Sequence, residues 1–141
     1  MAKGKRKINY IVVHHSASPI DSTTPERIRK WHVEDRGWSD IGYHYIIKNN
    51  NEVFVARPEN KKGAHSPPRN HDSIGICVVG NYENENPRKP MMDALETLIN
   101  ELLQKHNLTW NEVTWHRMWQ ATACPGEKLI PILHQIKNRY V

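Results

Sequence analysis

A chain of 141 residues with only two cysteines, Cys77 and Cys124, cannot rest on a disulfide framework and must bury an ordinary single-domain core. Its net charge of +5 fits a partner of anionic character, and no apolar run approaches the roughly 18 residues of a membrane span, so insertion in a membrane is not expected. No signal peptide precedes the first predicted strand, which points to synthesis in a reducing cytoplasm.

Four of the first seven residues are basic (Lys3, Lys5, Arg6 and Lys7), so residues 1–7 read as a flexible basic arm ahead of a domain at 8–141. Residues 8–13 (INYIVV) are β-branched, aromatic and nearly all apolar, predicting a buried strand that delivers His14 at its end. TTPERIRKWHVEDRG reads as a helix: Thr23 with Glu26 forms a capping-box pattern, Pro25 opens the first turn, Gly37 ends it, and Ile28 with Trp31 forms the inner face. GYHYIIK and EVFVAR are strands joined by Asn49, Asn50 and Asn51, which tolerate the positive φ of a hairpin turn.

Residues 58–72 show no hydrophobic period and form a long loop, a type of segment that often carries function. SIGICVVG is a further buried strand. Met91, Met92, Leu95, Leu98, Ile99, Leu102 and Leu103 share one stripe of a helix over 91–104, which Asn107 stops. VTW at 113–115 is a short strand running into His116, and a last helix starts near Pro131 with Ile132, Leu133, Ile136 and Tyr140 on its buried side. Alternating strands and helices predict an α/β fold: one domain with a mixed central sheet flanked by helices.

The chemistry-bearing residues lie at the two ends of this order. His14 follows the first strand, and WHRMWQATACPG supplies His116 and Cys124 eight residues apart, a spacing too long for one helix face and suited to a loop folding back. Imidazole and thiolate are zinc ligands, and three protein ligands with an open fourth position describe a catalytic zinc. Neither a G-x-S-x-G elbow nor an H-E-x-x-H helix is present. By strand alternation His15 and His44 face away from their neighbours His14 and Tyr43 and read as structural, and Cys77 inside its strand reads as core.

The segments IVVHHSAS, WSDIGYHYII, GAH, NHDSIGICVVG, and HR followed by TACPG occur in one order across roughly residues 8 to 130. Together they resemble the zinc-dependent N-acetylmuramoyl-L-alanine amidases, the family of phage lysozyme-type amidases and peptidoglycan recognition proteins. That resemblance implies a site at one edge of the sheet, with one Zn²⁺ per chain held by His14, His116 and Cys124. It implies that Tyr43 donates a hydrogen bond to the attacking water or the oxyanion, and that Thr122, where the phage lysozyme type tends to carry Lys, polarises the scissile carbonyl. His65 of GAH is a candidate substrate contact, and Trp38, Trp119 and the Pro67–Pro68 turn are candidates for the cleft wall. Some branches place a Glu near the metal, for which this sequence offers no counterpart.

The implied reaction is hydrolysis of the amide between N-acetylmuramic acid and L-alanine of the stem peptide, with peptidoglycan or a muropeptide as substrate. A monomeric phage or prophage endolysin, reaching the wall through a separate pore-forming protein, is expected; muropeptide recycling inside the cell is the other route. Two rivals follow from the same resemblance: a non-catalytic peptidoglycan-binding module, and an amidase that also regulates a protein partner such as an RNA polymerase through its N-terminal region. A nucleic-acid partner rests on charge alone, without a recognition motif, and is not expected.

Overall fold

The computed structural model describes residues 6–141; Lys3 and Lys5 of the expected arm lie outside the described residues. The β-branched runs become strands β1 (Tyr10–His15), β2 (Tyr45–Ile47), β3 (Val53–Val55), β4 (Ser73–Val78) and β5 (Val113–Trp115). They form one sheet in the order β3-β2-β4-β1-β5, parallel throughout except for the β2–β3 hairpin. β1 and β4 lie inside the sheet, and every residue of β4 is buried, as expected of parallel strands covered on both faces.

Three α-helices complete the α/β domain: α1 (Pro25–Arg29), α2 (Lys89–His106) and α3 (Ile130–Asn138). α2 buries the whole predicted stripe from Met91 to Leu103, and Asn107 ends it in the left-handed conformation at φ 58°. The hairpin turn likewise uses Asn51 at φ 74°. α3 buries Leu133 and Ile136, while Tyr140 beyond it is 45% exposed and stacks on Trp110 at 4.6 Å.

The first helix departs from its sequence pattern. Its cap is Thr24, whose hydroxyl accepts from the Arg27 N–H at 3.2 Å, while the buried Thr23 donates to the Pro19 carbonyl instead of forming a capping box. After Arg29 the helix widens into a π-helix over Lys30–Asp35. Arg6, counted with the basic arm, ties the start of the described chain to the body: it donates to the carbonyls of Glu59 at 3.0 Å and Ser73 at 2.8 Å.

Candidate metal centre and its cleft

His14 is the penultimate residue of β1 and is 1% exposed. Strand alternation puts it on the face shared with Val12, opposite Ile11 and Val13 of the hydrophobic core. In the parallel register it stands beside Cys77 of β4, a fully buried thiol that burial pushes well above its ordinary range. Tyr43, just ahead of β2, brings its ring to 5.1 Å from that of His14. Burial raises the Tyr43 phenol well above its ordinary value, so it stays protonated and a donor at neutral pH.

The other two donors come from the chain after β5. His116 opens a single 3₁₀ turn (His116–Met118), and its Nε2–H donates to Oε1 of Gln120 at 2.5 Å. That bond leaves the lone pair on Nδ1, which is buried and has no hydrogen-bond partner. Arg117 braces the following loop by donating to the carbonyls of Thr122 at 3.2 Å and Ala123 at 3.0 Å. The Thr122 hydroxyl accepts from the Cys124 N–H at 3.2 Å, which leaves its own proton free to donate.

Gly126 completes the loop. Its φ is 103°, and a Cβ there would lie 2.6 Å from the Tyr82 backbone, so no other residue fits without a shift. Cys124 Sγ then accepts from the His15 N–H at 3.4 Å and lies 3.7 Å from Nδ1 of His14. Burial pushes the Cys124 thiol up to about 12, so a thiolate at this position calls for a compensating cation.

One donor atom from each of His14, His116 and Cys124 lies within 4.8 Å of the others, a set that could hold a metal ion. They open onto a cleft of about 350 Å³ that also reaches Tyr43, Thr122 and Trp38. Of the predicted site residues, Trp119 is not brought there: its indole donates to the Thr114 hydroxyl at 2.9 Å and its ring packs 5.0 Å from Tyr10. Pro67 and Pro68 are exposed and do not line the cleft. His65 does reach the cleft lining, but it is 7% exposed and its Nδ1 lies 2.8 Å from Nε2 of His14.

His15 and His44 take the structural places expected of them. Nδ1 of His15 accepts from the Tyr82 N–H at 3.1 Å, and Nδ1 of His44 accepts from the Gly75 N–H at 3.0 Å. Burial holds each imidazole down at about 4.

Three further cleft or support residues are not among those singled out from the sequence. His32 lies in the π-helix and is buried, its Nδ1 accepting from the Gly42 N–H at 2.9 Å and its ring 4.6 Å from Trp38. Burial lowers its pKa to about 4, so at neutral pH it is an uncharged donor through Nε2. Arg36 lines the cleft with its guanidinium 5.2 Å from the Trp38 ring. Gln120 could have been suspected from its place four residues after His116.

Comparison with known proteins agrees with this arrangement. Residues 4–127 match the family described as N-acetylmuramoyl-L-alanine amidase. Peptidoglycan recognition protein 1 of Bos indicus is 34% identical over 139 residues, 93% of this chain and 73% of that protein. Among solved structures, the N-acetylmuramoyl-L-alanine amidase LysC from Clostridium intestinale superimposes with a TM-score of 0.86 at 34% identity, covering 96% of this chain and 87% of that one. A mutant of Drosophila PGRP-LB, solved in complex with tracheal cytotoxin, superimposes with a TM-score of 0.81 at 30% identity, covering 92% and 81%.

Proposed function

Since the chain belongs to the N-acetylmuramoyl-L-alanine amidase family, we propose that it is a zinc-dependent enzyme that cleaves the amide between N-acetylmuramic acid and the L-alanine of the stem peptide. The observation that carries this reading is the donor set lining the cleft: His14, whose Nδ1 lies 3.7 Å from Cys124 Sγ, His116, whose buried Nδ1 has no hydrogen-bond partner, and Cys124 itself. Two nitrogens and one sulfur suit zinc, and tetrahedral bonds of its usual length put N and S donors roughly 3.6 Å apart. The 3.7 Å between Sγ and Nδ1 of His14 matches that spacing.

Zinc held there supplies Lewis acidity, polarising a carbonyl and bringing the pKa of water down to about 7. The chain's own groups do the rest. Tyr43 and Thr122 each hold a hydroxyl proton that can be donated to a carbonyl oxygen as it gains charge, without titrating near neutral pH. Arg36 and Trp38 form a cationic and flat wall, complementary to the carboxylates and backbone of a stem peptide. Relatives named as peptidoglycan recognition proteins, and a neighbour bound to tracheal cytotoxin, support a muropeptide as the occupant. Action on the cell wall as a phage or prophage endolysin accords with the amidase neighbours.

The test is to incubate the zinc-loaded protein with a soluble muropeptide and follow the appearance of a free L-alanine amino terminus by mass spectrometry. Release of intact stem peptide is expected. Saturable binding of the muropeptide with no release would establish the non-catalytic recognition reading in its place.

A further inference from the structure

His65 is a buried polar ring placed between a metal-binding candidate and a serine. Its Nδ1 lies 2.8 Å from Nε2 of His14, and its Nε2 lies 3.2 Å from the Ser73 hydroxyl. That hydroxyl in turn donates to the Arg69 carbonyl at 2.6 Å. A carbonyl can only accept and a hydroxyl has one hydrogen, so the direction of the whole chain is set from its far end. Ser73 spends its proton on Arg69, so its oxygen must accept from His65 Nε2–H. His65 then presents a bare Nδ1, which accepts from His14 Nε2–H. His14 is left with its lone pair on Nδ1, the nitrogen that faces Cys124 Sγ.

We infer that His65 and Ser73 form a tautomer lock, a positioning device that orders His14 with Nδ1 bare and aimed at the metal before any metal binds. The opposite order fails on the same count: a proton on His65 Nδ1 would push one onto Nδ1 of His14, and a protonated nitrogen cannot ligate. Ligating imidazoles generally donate their second N–H to an acceptor that fixes them. Here the acceptor is itself an imidazole, so its own tautomer must be fixed one step further out.

The backbone is shaped to hold this ring. A Cβ at Gly75 would lie 2.6 Å from the His65 ring, and one at Gly63 would lie 2.5 Å from it, so the ring fills a slot that exists because both positions are bare. Gly75 pairs with Val12, two residues before His14, which places the slot beside His14 on the same face of the sheet. Asn70 fixes the approach, its Oδ1 accepting from the N–H groups of His65 at 3.0 Å and Ser66 at 2.8 Å. The Arg69 carbonyl at the far end belongs to the 3₁₀ turn Pro67–Arg69.

This inference rests on reading His14 as a zinc ligand, and the two can fail separately. In metal-free full-length protein, long-range ¹H–¹⁵N correlations should show both His14 and His65 protonated at Nε2 only; a proton on Nδ1 of either would overturn the lock. Zinc titration then reads its consequence. His65→Leu and Ser73→Ala should weaken zinc binding about 10- to 100-fold, and Ser73→Ala should populate the Nδ1–H form of His65. His65→Asn keeps an oxygen acceptor near the position of Nδ1 and should recover most of the affinity. A merely structural role predicts lower melting temperatures with unchanged zinc affinity in all three variants, and that result would overturn the proposal. Ordered tautomers in a wild-type protein that takes up no zinc would uphold the lock and sink the zinc reading.

Discussion

His14 stands inside a six-residue strand with parallel neighbours on both sides, whereas Cys124 stands on a loop whose course depends on Arg117, Thr122 and Gly126. The first donor is held by the same hydrogen bonds that hold the sheet, and its ring is backed by His65. The second is held by side-chain contacts at a half-buried surface, and its thiol is costly to ionise without a cation. One side of the centre is therefore built by folding, and the other is completed by what it binds. On the zinc reading, the strand-borne His14 would set where the metal goes, and a loop-borne Cys124 thiolate would add the charge that keeps it there.

The largest effect should come from breaking the loop side. Cys124→Ser replaces a thiolate with a neutral hydroxyl and should abolish both zinc retention and amide cleavage. Because Cys124 contributes nothing to the core, the unfolding midpoint in metal-free buffer should move by no more than a few degrees. Metal analysis, activity and thermal unfolding on one preparation would check this, and retained wild-type cleavage would remove Cys124 from the ligand set.

On the sheet side, Tyr43→Phe deletes one donor and keeps the ring. Its kcat should fall by about 10²–10³, or roughly 3–4 kcal/mol of transition-state stabilisation, with zinc content and substrate affinity little changed. A mutant within about twofold of wild type would make Tyr43 a packing residue.

Acid should also act on the sheet side, through His44. Burial holds its folded pKa at about 4, against an ordinary 6.5, and Arg6 lies close by. Above pH 6.5 the imidazole is neutral in both folded and unfolded chains, and its contribution to stability is complete. As pH falls from 6.5 toward 4 the unfolded chain takes up a proton that the folded one refuses, so stability drops, by at most about 3 kcal/mol from this group. The shifts of His15 and His32, also to about 4, run in the same direction. Urea midpoints of metal-free protein between pH 7.5 and 4.5 should therefore decline, and a flat profile would contradict the buried neutral imidazoles.

The smallest effect should come from Gln120→Ala, which frees the His116 ring without removing a ligand. Zinc affinity should weaken about tenfold, the low end for groups that orient a ligand. A drop as large as that of Cys124→Ser would mean that the loop, rather than the ring, had been lost.

Much of this was legible in the sequence because it depends on neighbours along the chain. The β-branched runs at 10–15 and 73–78, the stripe of α2 and the left-handed Asn107 all follow from local pattern. The three candidate donors came through the family resemblance of their motifs, and one donor atom from each lies within 4.8 Å of the others. What escaped depends on packing between distant segments. The place of His65 follows from two bare glycine positions, 63 and 75, which no periodicity reveals. Trp119 turns to Tyr10 and Thr114 rather than to the cleft, a choice made by β1 and β5 lying side by side. His32 follows Ile28 by four residues and shares its buried face, but helical spacing alone does not tell a packing imidazole from one that reaches the cleft. Arg6 looked like part of a solvated charge cluster because the carbonyls it binds lie more than fifty residues away.

The lengths of the strands carry a consequence for how this protein aggregates. Both outer strands, β3 and β5, are three residues long, while the six-residue β1 and β4 are enclosed between neighbours. Short rims offer another chain little backbone to pair with, even though Val55 on β3 is 65% exposed. The segments best able to template intermolecular pairing, YIVVHH and SIGICV, become available only once the sheet opens. Storage and handling losses should accordingly track the unfolded population rather than the protein's concentration in its native state.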